Sequence, residues 1–270
     1  MVQKWYNMET MFSSLPNPDR ALLSHAPVNL VIWQIDFEAA AAWAPNIALR
    51  WRDALAKKGF KGKLVGVRQQ RVEIQVGAGA SLLPRGESAL VRQGHQIQGE
   101  NGDTAALYPD SVIIESRSYA GWENFRGTLA RIIDVAKTLR NAELVKGITL
   151  RFVNALSDKK ADSVAYWKPY VQAPFLGPLA NDALTKDFSH ALYLLTFQHG
   201  TNCRAEMRIG IQPDAVHSGK TAYVFDTVCA TDEVIEFAIA KILATSDELH
   251  TMASKLFQQV ITKKYHEKAK

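Results

Sequence analysis

Apolar positions along the chain follow two periods, and the changes between them mark its elements. The run Asn29–Phe37, NLVIWQIDF, is almost unbroken in apolar and β-branched residues, which predicts a strand covered on both faces. In NIALRWRDALAKKGF the residues Ile47, Trp51 and Leu55 recur at helical spacing, and Gly59 stands where a C-terminal cap belongs. Strands are predicted next at about 64–76, 89–98 and 104–116, the last two joined by GENGD, whose Asn101-Gly102 pair tolerates a tight hairpin turn. After a turn at Tyr119–Gly121, the residues Trp122, Phe125, Leu129, Ile132, Ile133, Ala136 and Leu139 make one apolar stripe, the mark of a helix lying on a sheet. The segment Ile148–Asn154 then alternates, with Ile148, Leu150 and Phe152 on one face.

The same logic divides the chain. LPNPDR punctuates residues 1–25, which read as an N-terminal arm, and the stretch 157–187 is rich in Pro, Asp and Lys and reads as a connector with one short helix. Beyond it, HALYLLTFQ and CRAEMRIGI flank the turn His199–Asn202 and predict a half-exposed hairpin, followed by a strand in TAYVFDTVCA. Thr231 is placed to cap a helix over Val234–Leu243, and Ser246 to cap a last helix carrying Leu249, Met252, Leu256 and Val260. The expected fold class is α+β: antiparallel sheets each packed by helices, in two similar-looking halves, 26–156 and 188–270.

Composition narrows the function classes. With 47% hydrophobic and 22% charged residues among 270, the chain can bury one large or two modest cores. No run reaches the length of a membrane span and MVQKWYNMETMF lacks a signal-peptide plan, so a cytoplasmic protein without a membrane partner is expected. Two cysteines, Cys203 and Cys229, are too few for a disulfide scaffold or a zinc knuckle. The net charge of +5 is concentrated in a basic patch of Arg50, Arg52, Lys57, Lys58, Lys61, Lys63, Arg68 and Arg71 against Asp53 alone, and in the lysines of the tail 263–270.

Five stretches give the chain a family resemblance: HAPVNLVIWQIDF, SYAGWENF, LRFVNAL, YVFDTV and LHTMASKLFQQVIT, in that order. Together they resemble a sporadically distributed family of uncharacterised prokaryotic proteins of similar length. YVFDTVCA carries one acidic residue where relatives tend to have two, and FVNAL lacks a following charge. The resemblance implies an α+β fold and brings no catalytic residue with it.

Candidate chemistry is sparse. The seven histidines, His25, His95, His190, His199, His217, His250 and His266, include no helical pair with a carboxylate between, so neither a metal nor a cofactor is expected. QVGAGAS at 75–81 has the glycines of a phosphate loop, but Pro84 and Gly86 follow where a helix is required, and no nucleophile elbow occurs. Arg151, Asn154 and Asp226 stand out as polar residues in or at the end of core-forming strands, where a charge must be paired or cost several kcal/mol. A structural network, with Arg151 on Asp226 tying the halves together, is the preferred reading; a polar pocket floor for an anionic or peptide-like ligand is the sharper one.

These observations rank a non-catalytic binding, adaptor or neutralising protein first. The patchy distribution implied by the resemblance suits an accessory bacterial gene cassette of defence, toxin-neutralising or biosynthetic type. An enzyme with a site between the halves, built from Arg151, Asp226 and His190 or His199, comes second. A nucleic-acid binder using the 50–71 patch comes third, although Trp51 falls on the apolar face and is expected in the core. A protein partner is expected, and a homodimer through an exposed strand edge is compatible with the pattern.

Overall fold

A computed structural model describes residues 12–19, 27–37, 46–71, 90–99, 101–140, 142–185 and 190–269. In chain order the elements are β1 (Val28–Phe37), α1 (Ile47–Ala56), β2 (Val65–Arg71), β3 (Leu90–Gln98), β4 (Thr104–Leu107), β5 (Ser111–Ser116), α2 (Trp122–Arg140) and β6 (Leu144–Leu156). Short 3-10 turns and α3 (Ala173–Leu176) follow, then β7 (Ala191–His199), β8 (Cys203–Pro213), β9 (Thr221–Thr231), β10 (Ile235–Glu236), α4 (Ile239–Val260) and α5 (Lys263–Ala269).

The fold is α+β, as expected, but the strands make one antiparallel sheet of ten rather than separate sheets. Its order is β2-β3-β4-β5-β1-β6-β9-β8-β7, with β10 pairing β6 off this path. The first predicted strand is therefore central, bonded to β5 on one side and β6 on the other. It is not buried on both faces. Val31, Trp33, Ile35 and Phe37 are sealed in the main core, whereas Leu30, Ile32, Gln34 and Asp36 keep partial exposure on the opposite face.

The core is built on one side of the sheet. Long helices α2 and α4 bring Phe125, Leu129, Ile132, Ile133, Leu249, Met252 and Leu256 against the even-numbered side chains of β6 and the odd-numbered ones of β9. Trp33 Nε1 donates to Ser246 Oγ at 2.9 Å, joining β1 to the middle of α4. Ser246 is thus no helix cap: its hydroxyl donates to Ile242 O at 2.7 Å, and one continuous helix runs through it. The predicted helix start at Val234 is instead the short β10, and the Thr231 hydroxyl accepts the Glu233 N–H in a turn.

Other elements follow their sequence signals. At the end of α1, Phe60 N–H bonds Leu55 O at 3.0 Å and Gly59 takes φ +96°, the Schellman arrangement that glycine favours. Gly102 supports the β3–β4 turn with φ +80°. The predicted strand 104–116 is in fact the hairpin β4–β5, because Pro109 has no N–H for the ladder and Tyr108 N–H closes onto Ser111 O. The connector is packed, with Val164, Trp167, Val171, Leu176 and Leu179 buried. The tail folds back as α5, and Lys268 sits over the rings of Tyr166 and Tyr170 and pairs with Asp158. Of the arm, Phe12 packs edge-on against Phe197 and its carbonyl accepts from Lys255.

Candidate functional site

The alternation of β6 and β9 decides what Arg151, Asn154 and Asp226 can do together. Across the sheet, Leu30, Val153, Asp226, Arg208 and Leu194 stand in one row, and Glu115, Ile32, Arg151, Val228 and Glu206 in the next. Both rows point away from α2 and α4. Arg151 leans diagonally onto Asp226, with Nε to Oδ1 and Nη2 to Oδ2 both at 2.7 Å, a bidentate pair. Arg208 Nη1 approaches the same carboxylate at 3.4 Å, and its Nη2 lies 3.7 Å from Glu206. Hydrogen bonding to Asp226 raises the Arg151 guanidinium above its ordinary value, against the opposing effect of burial. The pair links adjacent strands from the two predicted halves, which is the structural reading of these residues. It also occupies the Arg151 fork, leaving it poorly placed for a free anion.

Asn154 is not part of this cluster. It has the opposite parity, faces the helices, and is 3% exposed. There it lines a pocket of about 40 Å³ with Val28, Tyr119, Phe152, Thr227, His250, Ala253, Ser254 and Phe257. A register shift between Val28 and Leu30 shapes this corner: Ala155 N–H is shared between Pro27 O and Asn29 Oδ1, both at 3.2 Å. The His250 ring stacks on Trp122 at 4.3 Å with an interplanar angle of 2°, and its Nε2 lies 3.3 Å from Ser254 Oγ. Trp122 Nε1 and Arg126 Nε both donate to Asp247 Oδ1, at 2.8 and 2.9 Å, fixing α2 on α4 beside the pocket. Burial, helped by Glu123, pushes the Tyr119 phenol far above its ordinary value, so the phenol stays neutral. The lining is gathered from well-separated parts of the chain, from Val28 through Tyr119, Phe152, Asn154 and Thr227 to His250.

Sequence reasoning misses His250, Thr227 and Tyr119 as a group because they come from α4, β9 and the turn before α2. The signal that was available is parity: in a strand with period two, positions 151 and 154 cannot share a face. His190 and His199, weighed as partners of Arg151 and Asp226, belong to the β7 end of the sheet and do not line this pocket. The glycine run at 75–81 lies outside the described residues.

One constellation has the composition of a hydrolase triad without its geometry. Ser157 Oγ is 2.5 Å from Asp214 Oδ2 and 3.0 Å from His217 Nδ1, and that same Nδ1 is 3.0 Å from Asp214 Oδ2. A relay needs serine and aspartate on different ring nitrogens. Here they share one, and the cluster ties the β8–β9 turn to the end of β6. Burial alone would raise the Asp214 carboxyl, but donors from Ser157, Val216 N–H and His217 hold it at about 2. A folded value below the ordinary 3.8 means stability that is present above pH 4 and lost as pH falls toward 2. Urea unfolding from pH 5 to 2.5 should show about 2 kcal/mol of acid-sensitive stability that Asp214→Asn removes.

The basic patch is spread over α1, the turn after it and β2. Trp51 is fully buried, Arg52 pairs with its neighbour Asp53, and Lys58 pairs with Asp134 of α2 at 3.0 Å. Arg50, Lys57, Lys61, Lys63 and Arg68 are surface residues of α1, its following turn and β2, and the Arg71 side chain lies outside the described residues. Cys203 and Cys229 are buried and unbridged, and burial pushes the Cys203 thiol up to about 11. Among the described residues no three His, Cys, Asp or Glu side chains come together as a metal site, and no helix is long and apolar enough to cross a membrane.

No protein-family model and no curated protein matches the chain. What fold and site define is an α+β protein with a single ten-stranded sheet, a paired-charge cluster on one face and a small polar-floored pocket on the other.

Proposed function

We propose that this is a non-catalytic binding or adaptor protein whose partner is another protein docking on the sheet face opposite the helices. The observation that carries the reading is the composition of that face near β7. The Arg151–Asp226–Arg208 cluster is flanked by Val153, Val224 and Val228, and it leads to Leu192 and Leu194, exposed by 71% and 60% on the outermost strand. Exposed leucines beside a mixed, internally paired charge cluster suit the apolar centre and polar rim of a protein interface. They do not suit a nucleic-acid backbone, which would call for unpaired cations. The accessory-cassette setting implied by the family resemblance fits a partner-neutralising or adaptor role.

Strand order supports a further reading, that the halves 26–156 and 188–270 are related. Each places its first available strand next to the other half at the centre (β1 and β6), runs out to an edge and meanders back (β2 to β5, β7 to β9), then ends in a long helix. On this reading β6 belongs with the C-terminal set, and the boundary falls before it.

Tagged protein recovered from its native host at moderate salt should carry a stoichiometric protein partner. Leu194→Asp should lose that partner while unfolding free energy changes by no more than about 0.5 kcal/mol. Recovery of nucleic acid instead, or equal recovery of the partner by Leu194→Asp, would reject the face as the docking surface. A second copy pairing along β7 would register as a dimer by light scattering that the same substitution dissociates.

A further inference from the structure

We propose that the pocket beneath the Val28–Leu30 bulge binds a neutral planar amide edge, such as a carboxamide, lactam or nucleobase edge, with Asn154 as its recognition residue. The site is independent of the protein-docking face, being on the other side of the sheet.

The chemistry follows from what lines the pocket. No Asp, Glu, Lys or Arg lines it among the described residues, so an ammonium group would be desolvated there without a carboxylate, and a carboxylate or phosphate without a Lys or Arg. Its polar groups are nonetheless under-used. Thr227 is 2% exposed, and its hydroxyl has no hydrogen-bond partner among the described residues. Asn154, 3% exposed, lines the same pocket. Buried polar groups are rarely left unmatched in folded proteins, so this hydroxyl, in a pocket that also carries an asparagine amide, points to a bound polar molecule.

An asparagine amide offers a donor and an acceptor side by side, which matches a group presenting the same two in reverse, the cis edge of an amide. Flat walls complete the match: Phe152, Phe257 and the His250 ring, itself stacked on Trp122, flank the floor. The volume of about 40 Å³ admits a head group of a few atoms, so a larger ligand extends outward.

The test uses 2-pyrrolidinone, with cyclopentanone as the same ring lacking N–H and butyrate as a charged counterpart. Binding is read from the Trp122 indole signal of protein labelled at tryptophan, assigned with Trp122→Phe. The expected result is saturable binding of 2-pyrrolidinone with a Kd of about 1–10 mM, at least tenfold weaker binding of both comparison compounds, and at least tenfold loss in Asn154→Leu. Thr227→Val preserves shape and removes only the unpartnered hydroxyl, so it should fold normally and bind more weakly. Equal binding of cyclopentanone, tighter binding of butyrate, no binding of any probe at 50 mM, or unchanged lactam affinity in both variants would overturn the proposal.

Discussion

Trp33→Ala should lower the unfolding free energy by about 4 kcal/mol and Tm by about 10 °C, the largest effect expected of any single side chain here. The indole is fully buried at the centre of the sheet, and its N–H reaches Ser246 in α4, 213 residues away. Truncation opens a cavity on the helix side of β1 and leaves the Ser246 oxygen with one bond fewer in the core. Trp33→Phe separates the two contributions, since most of the volume stays and only the hydrogen bond is lost; about 1–2 kcal/mol is expected. Chemical denaturation of both variants checks the pair. Equal losses would place the whole effect in the hydrogen bond.

Asp226→Ala is expected to cost about 2–3 kcal/mol. The carboxylate side chain is only 10% exposed and neutralises a guanidinium held by two 2.7 Å bonds, so its removal strands Arg151 half-buried without a counter-charge. Arg151 keeps partial access to water, which sets the figure below that of a fully buried pair. Asp226→Asn should lose less, because one oxygen still accepts. The double variant Arg151→Met with Asp226→Leu should recover most of the stability, since it removes both charges together. These variants also divide the structural role from the binding role. Asp226→Asn with reduced stability and intact partner binding keeps the pair structural, whereas a stable variant that no longer binds makes it part of the interface.

Much of the architecture was legible because it rests on local rules. Gly59 caps its helix, Asn101-Gly102 turns its hairpin, and Cys203, Ala205, Met207 and Ile209 alternate into the core as their spacing requires. Errors arose where tertiary partners override local preference. Ser246 looks like a cap until Trp33 and Ile242 account for its hydroxyl, and Tyr108-Pro109-Asp110 breaks a β-rich run whose apolar character hides the turn. Sheet continuity was not legible, because nothing local in NLVIWQIDF says that its second neighbour is β6. For the sites, the Arg151–Asp226 pairing was readable from two opposite charges in adjoining strands. The pocket was not, since its polar groups come from β6, β9, α4 and the turn before α2, and no spacing connects Tyr119, Asn154, Thr227 and His250.

The central position of β1 also sets an order on assembly. On the nascent chain its first edge can pair with β5 as soon as that hairpin has left the ribosome, while its second edge waits for β6 and its apolar face waits for α4, near the end of synthesis. Contacts of such high order slow folding and leave an open, apolar strand edge during translation. Chaperone dependence should therefore concentrate on the N-terminal meander, and pausing after β6 should favour the native sheet over self-association.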